Sequence, residues 1–197
     1  MARKIFFGNY KGGVGKTTST FYLANQFAEQ TGKKILILDL DPQCSMSEIC
    51  ARSYFSSDSK ENLENICDEE TLNYMLDMLC RNKRYKTVLP FRSNIFVKKC
   101  RKLNANVNFI PTSLYYKRKR GAVVDIEGLD ELVEELQSDA DTNILLLHEV
   151  ISLAEKNYDY IFFDCPPTNN LLTKSAFLIS DFYIIPCISD NIILFRN

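Results

Sequence analysis

The sequence predicts a single α/β domain over residues 1–197, with a mostly parallel sheet flanked by helices. Three observations carry this expectation. Short β-type runs alternate with helical patterns along the chain. A glycine-rich stretch falls between the first strand and the first helix. Two later apolar runs end on acidic residues, Asp39 and Asp164, where the strands of an open α/β sheet converge on a ligand crevice.

The elements follow in order. Lys4–Gly8 (KIFFG) reads as the first strand. Thr17–Gln30 reads as a helix with Phe21, Ala24, Phe27 and Ala28 on one face, and Gly32 stands where a C-terminal cap belongs. Lys34–Leu38 (KILIL) has the unbroken apolar pattern of a strand covered on both faces. Glu69–Asn82 is expected to be helical, Val107–Pro111 (VNFIP) a strand, and Asn143–Glu155 a helix with Ile144, Leu147, Ile151 and Ala154 in register. Tyr160–Phe163 and Phe182–Ile185 complete five strands. The stretch from about 52 to 106 shows no clear period and reads as an irregular, basic insertion.

With 46% hydrophobic residues and few Gly or Pro, the chain is expected to bury a real core. Seven cysteines are an odd number with no CxxC pair, which argues against a metal or disulfide framework and fits a reducing, cytoplasmic setting. No signal-like apolar segment follows Met1, and no apolar run approaches the ~18–20 residues of a membrane span. A net charge of −1 conceals strong segregation: residues 81–120 hold thirteen Lys or Arg and no acid, and residues 121–141 hold eight acids and no base. Such blocks form either a solvated face or a polyanion-binding surface.

The chemistry is concentrated in Asn9-Tyr10-Lys11-Gly12-Gly13-Val14-Gly15-Lys16-Thr17-Thr18. A loop entering a helix N-terminus aims backbone N–H groups and the positive end of the helix dipole at one point, which suits a phosphate chain. Glycines let the backbone approach phosphate oxygens. Lys16 is expected to reach the β- and γ-phosphates and the Thr17 hydroxyl to ligate Mg²⁺, the arrangement of a P-loop nucleotide hydrolase. The pattern departs from the usual one in placing Tyr10 where a glycine stands and in adding a lysine, Lys11. Asp39-Leu40-Asp41-Pro42-Gln43 and Phe163-Asp164-Cys165-Pro166-Pro167 would face the same crevice, although acids after apolar runs also mark strands leaving for solvent.

Together Lys11–Thr18, Asp39–Gln43 and Asp164–Pro167 resemble the ParA family of partition ATPases, in the deviant Walker-A group that includes MinD. Thr71-Leu72, Phe109-Ile110-Pro111, Leu171-Leu172-Thr173 with Ala176, and Tyr183-Ile184-Ile185-Pro186 extend the likeness over about residues 3–50 and 107–190. The resemblance implies ATP and Mg²⁺ as ligands. Lys11, Gly12, Gly13, Val14, Gly15, Lys16, Thr17, Thr18 and Pro186 would bind nucleotide, and Thr17, Asp41 and Asp164 would face the metal. It implies catalysis by Lys16, by Asp41 acting on the attacking water, and by Lys11 reaching the partner's phosphates in an ATP-bound homodimer. Pro166 to Asn170 would form a second switch, with Asn169-Asn170 where the family usually has Gly; the role of Asp39 stays open, a structural one among the alternatives. The family continues beyond the fifth strand with roughly another helix–strand–helix unit, so the chain reads as truncated or as a degenerate relative.

The implied function is ATP-driven partition of a plasmid or chromosome. The ATP-state dimer would bind DNA non-specifically at the nucleoid and release it when a centromere-binding partner protein stimulates hydrolysis. Lys98-Lys99-Cys100-Arg101-Lys102 and Lys117–Arg120 are the densest cation clusters available for phosphate contacts. A MinD-like membrane cycle would need a C-terminal amphipathic helix, which the sequence lacks. An iron-protein carrier would need bridging cysteines such as Cys165 or Cys100, and a non-catalytic nucleotide-binding fragment is the remaining alternative. His148 is expected to be a half-buried helical residue and Tyr115-Tyr116 to be partly buried loop aromatics.

Overall fold

Five parallel strands form the centre of the molecule, and the reason is visible in their residues. The computed structural model describes residues 1–55, 59–81, 93–100, 104–120, 123–137, 145–152 and 154–187. Its strands are β1 (Arg3–Phe7), β2 (Ile35–Asp39), β3 (Lys98–Lys99), β4 (Val107–Ile110), β5 (Tyr116–Arg120), β6 (Val123–Glu127), β7 (Tyr160–Asp164) and β8 (Phe182–Ile184). The helices are α1 (Lys16–Thr31), α2 (Ser45–Tyr54), α3 (Leu72–Arg81), α4 (Ser93–Phe96), α5 (Leu129–Gln137), α6 (Leu146–Ser152) and α7 (Leu171–Ile179). The main sheet runs β3-β4-β2-β7-β1-β8, parallel except for the short edge strand β3. Every residue of β2 is buried, as a strand covered on both faces requires.

Alternation along the strands divides the core in two. Phe7, Ile35, Ile37, Phe109 and Phe162 point to the layer of α1 and α2, with Ala24, Ala28, Met46 and Cys50. Phe6, Leu36, Leu38, Ile161 and Phe163 point to the opposite layer, where Leu76, Leu132, Leu147 and Leu172 pack. In-register pairing aligns Phe7, Asp39 and Asp164 at one end of the sheet, so the three central strands deliver their carboxyl ends to a single place. Helix α1 stops where expected: Gly32 takes a left-handed conformation (φ 68°) and its N–H reaches the Ala28 carbonyl at 2.9 Å.

Several elements differ from expectation. The region 52–106 is not simply irregular, since it holds the end of α2, α3, α4 and the edge strand β3. Helix α3 starts at Leu72, later than Glu69, because Asp68–Glu70 form a separate 3-10 turn. Helix α6 covers Leu146–Ser152 and is followed by a 3-10 turn at Glu155–Asn157, while residues 143, 144 and 153 of the expected helix lie outside the described residues. His148 is helical but exposed. Tyr116 is a strand residue, 2% exposed, and its hydroxyl donates to Asp77 at 2.9 Å, whereas Tyr115 is exposed. No described helix is long and apolar enough to cross a membrane.

The largest correction concerns the cation blocks. Strands β5 and β6 form an antiparallel hairpin that pairs Lys117–Arg120 with Val123–Ile126. Arg118, 3% exposed, points inward and meets Asp77 at 2.7 Å, Glu127 at 3.0 Å and Glu135 through both terminal nitrogens. Lys98 is also buried and pairs with Glu70 at 2.7 Å. Two members of the clusters assigned to polyanion contact are thus internal, and part of the charge segregation is structural. Lys99 and Lys117 remain exposed, and residues 101 and 102 lie outside the described residues.

Candidate nucleotide site

Directly beyond β1, the chain turns through the glycine-rich loop into α1. Gly13 (φ 70°) and Gly15 (φ 83°) hold left-handed backbones that an L side chain would strain. A Cβ built on Gly12, Gly13 or Gly15 would meet nothing within 4 Å, so these glycines border open space. Gly8 serves a different need: a Cβ there would lie 2.1 Å from the Phe6 ring. Val14 is buried and packs the loop down, while Lys11 and Thr18 are exposed. Asn9 organises the entry, accepting the Lys11 N–H at 2.9 Å and donating to the Pro186 carbonyl at 2.8 Å. Pro186 therefore sits beside the loop at the end of β8.

Lys16 is 8% exposed and donates through Nζ to the Lys11 carbonyl at 3.3 Å, bringing its ammonium back over the loop. The end of β7 lies beneath it. Asp164, 1% exposed, accepts the Thr20 hydroxyl at 3.2 Å and a hydrogen bond from Thr17. Thr20 was not anticipated, although it stands one helical turn from Thr17 and so shares its face. Burial pushes the Asp164 carboxyl up to about 6; Thr17 and Thr20 pull it down, Asp41 raises it, and Lys16 opposes that rise.

Asp39, in register with Asp164, is pushed up to about 8 by burial first and by Asp164 second. It accepts the Ser47 N–H at 2.7 Å and the Asp41 N–H at 3.1 Å. Asp41 is half-buried, accepts the Gln43 N–H at 3.0 Å and begins the turn leading to α2. The structure thus brings together Lys16, Thr17, Asp41 and Asp164, with Asp39 behind them. Asn170 caps α7, accepting the Thr173 N–H at 2.9 Å, so an asparagine performs helix capping where the resembled family usually has glycine.

The donor set fits a hydrated divalent cation. The second carboxylate oxygen of Asp164 is buried without a hydrogen-bond partner, and crowded carboxyls with raised affinity for protons are equally short of positive charge. No cluster of three or more His, Cys, Asp or Glu suited to a metal occurs among the described residues. Cys165 and Cys100 are both buried in the core and are not placed to bridge a cluster between protomers.

Comparison with known proteins agrees with this fold. Residues 2–194 match the AAA_31 family model, described as an AAA domain. The virulence plasmid ParA family protein pGP5-D of Chlamydia psittaci is 27% identical over 189 residues, covering 95% of this chain and 57% of that protein. The chain thus spans little more than half of that relative's length. Among solved structures, cobyrinic acid a,c-diamide synthase from Mycobacterium smegmatis, with a bound ATP analogue and magnesium, superposes with a TM-score of 0.68 at 18% identity, over 95% of this chain and 60% of that one. A plasmid partition protein from Borrelia burgdorferi gives 0.65 at 21% identity, over 97% and 68%.

Proposed function

The chain belongs to the AAA_31 family, within the ParA/MinD group of partition ATPases, and from that premise we propose that it is a Mg²⁺-dependent switch that hydrolyses ATP to ADP and phosphate. The observation that carries this reading is the convergence of Lys16, Thr17, Asp41 and Asp164 on the open side of a glycine loop. The loop and the α1 N-terminus bind the phosphate chain, and Lys16 offsets its charge. Thr17 and Asp164 would hold Mg²⁺ on this side of the site, where the ion would supply positive charge against the phosphate chain. Asp41, half-buried at the mouth of the crevice, orients the attacking water and takes up its proton.

Two ATP-bound copies form a dimer in which Lys11 serves the partner's phosphates. Its exposure supports this, as does the presence of Lys16, which leaves a second lysine little to do within its own site. The dimer binds DNA without sequence preference, and a centromere-binding partner triggers hydrolysis, a partition role supported by the names of the relatives. Exposed cations such as Lys99 and Lys117 remain available for phosphate contacts.

Asp41→Ala tests the catalytic reading. Affinity for Mg–ATP should stay within a few-fold of wild type while single-turnover hydrolysis falls by roughly 10²–10⁴-fold, the range general-base catalysis supplies. Loss of affinity in step with the rate would make Asp41 a binding or folding residue instead.

A further inference from the structure

We propose that Thr112 is a positioning residue for hydrolysis, clasping the loop that carries Asp41 at both of its ends. The assignment rests on reading Asp41 as the water-orienting carboxylate. That loop leaves β2 at Asp39 and re-enters regular structure at Ser45, and its conformation is not a relaxed one. Cys44 within it is left-handed (φ 53°), the sole non-glycine with positive φ among the described residues. Such a backbone persists only where its surroundings over-determine it.

The surroundings that hold it converge on Thr112, just beyond β4. The Thr112 hydroxyl donates to the Asp39 carbonyl at 2.6 Å, fixing the start of the loop. Its N–H donates to the Ser47 hydroxyl at 3.0 Å, fixing the end. Asp39 closes the ring from inside, accepting the N–H groups of Ser47 at 2.7 Å and of Asp41 at 3.1 Å. Thr112 and Ser47 are fully buried and Asp39 is 1% exposed, so the ring is a closed polar unit inside an apolar layer. Thr112 is itself anchored, because buried Asn73 of α3 accepts the adjacent Ser113 N–H at 2.8 Å and donates to its carbonyl at 3.1 Å.

The hydrogen bonds of Thr112 go to Asp39 and Ser47, so its effect reaches the reaction through Asp41. A small misplacement of a catalytic group costs rate far more than it costs binding.

The test compares wild type, Thr112→Val, Thr112→Ser, Asp41→Ala and the Asp41→Ala/Thr112→Val double variant in single-turnover hydrolysis, with affinity for a non-hydrolysable ATP analogue measured alongside. Valine keeps the shape and removes the hydroxyl; serine restores it. The expected result is a fall of about tenfold in rate for Thr112→Val, with affinity within about twofold, recovery in Thr112→Ser, and no further loss when valine is added to Asp41→Ala. A Thr112→Val rate within about twofold of wild type overturns the clasp, as does a tenfold loss that persists without Asp41. Absence of turnover in wild type would instead overturn the hydrolase reading itself, so the two failures are distinguishable.

Discussion

Lys16→Ala is expected to lose ATP turnover by about three orders of magnitude or more, the scale on which a transition-state cation acts in phosphoryl transfer. Lys16 is only 8% exposed, and its ammonium is folded back onto the loop. It is also a cation acting on Asp164, whose carboxyl it helps to keep charged. Alanine therefore removes the proposed phosphate ligand and leaves the Asp39–Asp164 pair with less compensation. Nucleotide affinity should weaken together with the rate, unlike the split expected for Asp41→Ala. Steady-state phosphate release and titration with a fluorescent nucleotide would check both, and near-wild-type turnover would remove the P-loop reading.

Arg118→Ala is expected to produce a large loss of stability away from the nucleotide site. Arg118 and Asp77 have side chains 3% and 2% exposed and lie 2.7 Å apart. Removing one member of a buried pair strands the other charge, at a cost of about 3–5 kcal/mol. Glu127 adds to that burden at 14% side-chain exposure, while Glu135, at 45%, is largely wet and contributes little. Chemical denaturation should show the loss as a lower midpoint with unchanged slope. Replacing Arg118 and Asp77 together by apolar residues of similar volume should recover much of it, because no charge is then stranded. A loss below about 1 kcal/mol for Arg118→Ala would mean the hairpin behaves as a surface appendage.

The sheet and the glycine loop were legible because their signals are local. Five apolar runs, a left-handed glycine cap at Gly32 and a loop between strand and helix are readable from a few consecutive residues. Helix α2 was not. Its N-terminal residue Cys44 supplies no side-chain cap, and its buried face carries Ser47, Cys50, Ala51 and Ser53, with Met46 as its one large apolar side chain. The hairpin was hidden by its composition: a strand reading Tyr-Lys-Arg-Lys-Arg looks like a solvated cation run. The usable signal was that a block of acids follows the block of bases, since Arg118 finds its partners at Glu127 and Glu135 within that block.

At the site, the residues proposed to meet phosphate or metal could be named from the motif, whereas those that hold them in place could not. Asn9, Thr20, Ser47 and Thr112 act through contacts between distant segments, such as the 73 positions that separate Thr112 from Asp39. No local pattern encodes such a pairing.

The proposed crossing of Lys11 to a partner's phosphates is the claim that separates a dimerising switch from an ordinary nucleotide hydrolase. It is tested most directly by mixing Lys11→Ala with Asp41→Ala protein and measuring phosphate release across a range of total concentration. Each variant alone should be nearly inactive. In the mixed dimer, the site with an intact Asp41 receives its crossing lysine from the Asp41→Ala chain, so activity should reappear and grow with concentration. Full activity in a demonstrably monomeric Lys11→Ala protein, or no recovery in a mixture shown to form dimers, would contradict it.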